Sequence, residues 1–115
     1  VGWIARLSAA TGDVVRAWTL GSEVAALAAL DDGVAAISTA SLVVETPEPD
    51  LACMTRASVT AMGPDGPRWT TELGAGARVA QGIAVSEDAI FAWASEDTIF
   101  LHGRSEEGVL ATLAR

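Results

Sequence analysis

Residues 3–20 read WIARLSAATGDVVRAWTL, an apolar stretch, a polar cluster with Thr11-Gly12-Asp13, then a second apolar stretch ending in Trp-Thr-Leu. Two β-type runs joined by a Gly-containing turn form a hairpin signature. The unit recurs. Residues 57–73 read ASVTAMGPDGPRWTTEL and residues 97–113 read DTIFLHGRSEEGVLATL, each an apolar strand, a polar turn and another apolar strand. The expected turn glycines are Gly12, Gly66 and Gly108, residues suited to the positive φ that hairpin turns often require.

Two further segments lie between these hairpins and match one another. Residues 23–38 read EVAALAALDDGVAAIS and residues 78–95 read RVAQGIAVSEDAIFAWAS, so each pairs two apolar strands around a short acidic turn. Residues 24–30 (VAALAAL) offer the best helical spacing, yet the run is short and meets Asp31-Asp32-Gly33, which fits a strand better. The chain therefore alternates hairpin, inner pair, hairpin, inner pair, hairpin. It is all-β, and internal repetition favours a propeller over a sandwich or barrel.

An inner strand pair followed by a hairpin with Thr-Gly and a terminal-strand Trp resembles the blade of the pyrroloquinoline-quinone (PQQ) type β-propeller, a WD-like repeat. Thr11-Gly12 with Trp18 matches best, with Leu7-Ser8-Ala9-Ala10 standing where the family carries Ala-Leu-Asp. Gly66 with Trp69 repeats the motif without the Thr, and Gly108 is followed by Leu113 in place of Trp. The resemblance implies a partial propeller of about two and a half four-stranded antiparallel blades. On this reading residues 2–20 are the outer hairpin of one blade, residues 23–73 a second blade with an insertion at 40–56, and residues 78–115 a third. Such a fragment leaves apolar edges open, so further chain or other subunits are expected to complete the ring.

With 115 residues the chain suits one domain, and 15 acidic residues against 7 Arg and no Lys give a net charge of −8. That balance excludes a phosphate-tracking surface, so nucleic acid is not an expected partner. No apolar run is long enough for a membrane span. The chain begins at Val1 without a basic or apolar leader, which reads as a processed or excised segment. Its Ala-rich, Lys-free composition suggests a high-GC bacterial genome, and the family resemblance implies an extracytoplasmic location.

Catalysis is tested by residue supply. His102 is the sole histidine and Cys53 the sole cysteine, which leaves no histidine metal set and no internal disulfide. No Gly-x-Ser-x-Gly elbow occurs, Gly74-Ala75-Gly76 leads towards a strand instead of a helix, and Asp31-Asp32 and Glu87-Asp88 lack calcium-loop spacing. PQQ dehydrogenases hold a metal with Glu, Asn and Asp and carry adjacent cysteines, whereas this sequence has no Asn and no Cys pair. No catalytic residue, metal or cofactor is therefore expected.

The family's non-enzymatic relatives use such blades to bind proteins, so the resemblance implies a protein-interaction or ligand-recognition scaffold. Competing readings are structural blades of a quinoprotein-like oxidoreductase and a lectin-like assembly that stacks Trp on sugars. Trp3, Trp18, Trp69 and Trp93 are expected to pack between blades, with Trp93 the candidate to face a small-molecule or sugar ligand. Pro47 and Pro49 make residues 46–50 a loop, where Glu45, Glu48 and Asp50 are candidate partner contacts.

Overall fold

A computed structural model of the chain describes residues 2–20, 23–43, 53–74, 77–100 and 103–115. These form nine strands and no helix: β1 (Gly2–Leu7), β2 (Val14–Leu20), β3 (Glu23–Leu30), β4 (Gly33–Val43), β5 (Cys53–Gly63), β6 (Gly66–Glu72), β7 (Val79–Val85), β8 (Ala89–Phe100) and β9 (Gly103–Ala114). The protein is all-β. Its strands make three antiparallel sheets, β1-β2, β3-β4-β5-β6 and β7-β8-β9, which do not close a ring.

Turn chemistry sets the local boundaries. Between β1 and β2 the Ser8 and Gly12 amides donate to Asp13 O and Ser8 O, both at 2.8 Å, and Gly12 takes φ of 78°. Asp31-Asp32 connects β3 to β4 and Pro64-Asp65 connects β5 to β6, so Leu30 pairs with Gly33 and Gly63 with Gly66. Gly33 tolerates no side chain, because a Cβ there would fall 1.8 Å from the Met62 carbonyl oxygen.

The sheets stack face to face, and the four-stranded one is covered on both sides. Successive strand residues point to opposite faces. On β4, Ala35 and Ile37 join Ala57 and Val59 against Ile83, Ile90, Ala92 and Ala94 of the three-stranded sheet. Ala36 turns the other way, joining Met62 against Ile4 and Leu20 of the two-stranded sheet. Small Ala side chains let these layers approach closely, and a buried hydrogen bond from the Ala80 amide to Thr39 Oγ1 at 2.9 Å crosses one of them. The segment after β6 is tied down by hydrogen bonds from Leu73 N to Ala57 O (3.0 Å) and from Ala57 N to Ala77 O (2.8 Å).

Two expectations are corrected. Gly108 is not a turn residue: it lies within β9 opposite Ser95, and β8 runs on through residues 96–100 to a Phe100–Gly103 pairing. The last sheet thus has three strands, where a four-stranded blade was expected. Backbone pairing with β8 supplies hydrogen bonds to alternate residues of 103–108, and this overrides a polar local composition that reads as a turn. The insertion is also shorter than 40–56, since Ala40 pairs with Arg56 and Val43 with Cys53, extending β4 and β5 into it.

Candidate functional site

A cleft of about 430 Å³ opens between the two-stranded and four-stranded sheets. Its walls are Ile4, Ala5 and Arg6 of β1 and Trp18 of β2, and its floor includes Leu27, Val34 and Met62. Ile4, Arg6 and Trp18 share the face of the two-stranded sheet that looks onto the four-stranded one. β1 pairs with β2 alone among the described residues, which leaves its other edge with open donors and acceptors. Leu27 keeps 51% of its surface exposed on that floor.

The charged residues that line the cleft are Arg6 and Asp32. Arg6 and Arg16 are directly opposite in the β1-β2 register, a like-charge pairing that is unfavourable unless an anion is nearby. Arg6 Nη1 donates to Pro64 O at 3.3 Å, and the Arg16 guanidinium sits 5.4 Å from the centre of the Trp18 ring, within cation–π range. Neither meets a carboxylate among the described residues. Across the cleft Arg68 instead pairs with Asp32, and that hydrogen bond holds the Asp32 carboxyl below its ordinary pKa. At the far side of the same turn, Arg115 donates to Asp31 Oδ1 at 2.8 Å and to Ser86 O at 2.6 Å, tying the three-stranded sheet to the β3-β4 turn.

Trp93 lies on the middle strand of the last sheet, with 42% of its surface exposed. Its indole rests on Gly82, its register partner on β7, where a Cβ would come within 2.1 Å of Cζ2. Phe91 and Leu110 extend the same apolar surface. Trp18 and Trp69 behave differently. Trp18 packs towards Met62 and Ala36 and lies against Gly66, whose φ is 126°, while Trp69 packs into the core shared with the three-stranded sheet. Trp3, by contrast, is 65% exposed.

Glu45, Glu48 and Asp50 lie outside the described residues, as does His102. Sequence reasoning passed over the cleft, the Arg6–Arg16 pairing and Gly82. Only Gly82 carried a local signal, since glycine inside a strand often marks a close approach; the cleft depends on contacts between distant segments. Among the described residues no group of three or more His, Cys, Asp or Glu could hold a metal ion. Among the described residues no helix is long and apolar enough to cross a membrane. No protein-family model, curated protein or solved structure matches this chain.

Proposed function

We propose that this chain is a run of propeller-type blades, about two and a half in number, serving as a non-catalytic scaffold that recognises a protein partner. The observation that carries the recognition reading is the largely apolar cleft lined by β1, a strand whose other edge is unpaired among the described residues, with Arg6 in its lining. An extended peptide added to such an edge gains main-chain hydrogen bonds, and its alternate side chains fill the cleft. A carboxylate on that peptide meets Arg6. Support for the blade reading comes from Trp18 and Trp69, which hold matching places in two hairpins and each pack onto the next sheet in the chain.

A second reading, sugar recognition, is favoured by the exposed indole of Trp93 on its flat apolar surface. Arrays of extended synthetic peptides and of glycans separate the two. Peptide binding lost in Leu27→Asp and retained in Trp93→Ala supports the cleft. Glycan binding lost in Trp93→Ala supports the second reading, and silence on both arrays refutes recognition by either surface.

A further inference from the structure

The two charged side chains that line the cleft, Arg6 and Asp32, differ in how they are held. Both lie at the end where the β3-β4 and β5-β6 turns meet, since Val34 pairs with Met62, Gly33 abuts the Met62 carbonyl and Arg6 donates to Pro64 O. That acceptor is neutral, and among the described residues Arg6 meets no carboxylate. Its charge is left unbalanced.

Asp32 is held instead by Arg68, from outside the cleft. The β5-β6 register slips between Ala61 and Met62, which makes Arg68 the extra residue of a β-bulge, a feature that re-aims a side chain. The Arg68 guanidinium runs over Gly63, where a Cβ would lie 2.7 Å from Nε, and ends in an ion pair with the Asp32 carboxylate. Arg68 itself borders a different, smaller space of about 180 Å³ between the four-stranded and three-stranded sheets, beside Trp69, Ile90 and Arg115. Its hydrogen bond is the main reason that the Asp32 carboxyl stays below its ordinary pKa.

We propose that Arg68 sets the charge preference of the cleft: by holding Asp32 from outside, it leaves Arg6 as the unbalanced charge facing a bound segment, so the cleft selects a peptide that carries a carboxylate. This deepens the reading of the cleft as a peptide site and rests on it. Arg68 is a positioning residue, because it acts through Asp32 and does not line the space the peptide fills. Without Arg68, the Asp32 carboxylate offsets Arg6 at the same end of the cleft, and a peptide carboxylate gains nothing over a neutral amide. Neutralising Asp32 as well restores the positive excess. Arg6 and Asp32 are both exposed, so the preference at stake is about fivefold in affinity.

Fluorophore-labelled, blocked peptides of alternating Thr and Val, identical but for a central Glu, Gln or Lys, are titrated with the full chain and followed by anisotropy. The wild type should bind the Glu peptide about fivefold tighter than the Gln peptide, and the Lys peptide weakest. Arg68→Met should bring the Glu and Gln peptides level, and Arg68→Met combined with Asp32→Asn should restore the preference for Glu. That rescue separates a charge effect from a merely structural one. A Glu preference that survives Arg68→Met, or one that the added Asp32→Asn does not restore, overturns the assignment. Equal binding of the Glu, Gln and Lys peptides by the wild type overturns the charge preference and leaves the peptide reading standing; binding of none overturns both. Circular dichroism checks folding, and Arg68→Gln replaces Arg68→Met if that variant fails it.

Discussion

Ile37→Ala tests whether the chain is held together at the boundary between its four-stranded and three-stranded sheets. Ile37 is fully buried, sits opposite Val59 on β5, and packs in the cluster that also contains Ile83, Ile90 and Ala92. The substitution removes three carbon groups, about 2.4 kcal/mol at roughly 0.8 kcal/mol for each buried methylene. A residual cavity adds to this, because β4 is clamped by β3 and β5 and cannot collapse inward, bringing the loss to about 3–4 kcal/mol. Domains of this size have about 5–15 kcal/mol of stability, so the variant should lose a large share of it. Urea unfolding followed by tryptophan fluorescence and by circular dichroism gives the number. Leu27→Ala, at a half-exposed position, is the control and should cost less than about 1 kcal/mol. Equal losses in the two variants, or an Ile37→Ala loss below about 1 kcal/mol, would refute the assignment of the main core to this boundary.

Gly33→Ala should cost about 3 kcal/mol because its Cβ meets backbone at Met62, whereas Gly12→Ala, with open space but φ of 78°, should cost about 1 kcal/mol; thermal melts that reverse this order contradict the geometry. Thr39→Val removes the acceptor of the buried Ala80 amide and should cost about 1–3 kcal/mol with faster hydrogen exchange at Ala80, so unchanged exchange there would discount the bond. Arg68→Ala should raise the Asp32 pKa towards its ordinary value, as read by carboxyl-carbon NMR titration. The sign follows from the lowered folded-state pKa: the pair stabilises the protein above the ordinary carboxylate pKa, and its contribution is lost as pH falls through the lowered value. An Asp32 titration that Arg68→Ala leaves in place would remove Arg68 as the cause.

The strand content was legible from local sequence because turn chemistry is local. Thr11-Gly12-Asp13, Asp31-Asp32-Gly33 and Gly63-Pro64-Asp65-Gly66 each mark the reversal that the structure places there, since glycine and short acidic side chains favour tight turns over any distance of chain. The apolar runs between them had no choice but to pair, and the absence of helical spacing made the pairs strands. The alternation on β4, with Ala35 and Ile37 on one face and Ala36 on the other, was likewise written in a run apolar at every position, the pattern of a strand covered on both sides. Local reading failed where the partner strand, and not the turn residue, set the outcome. Ser105-Glu106-Glu107-Gly108 looks like a turn alone, but β8 lies alongside and supplies its hydrogen bonds. The same holds for everything in the candidate sites. Only folding brings Arg115 to Asp31 across 84 positions, Trp18 against Gly66, and β1 to the same cleft as Leu27. Which tryptophans are covered was also a tertiary decision. Trp18 and Trp69 face a neighbouring sheet while Trp3 and Trp93 face outward, because exposure depends on which layers stack and in what order, and pairwise contacts between distant strands leave no mark in the local pattern of residues.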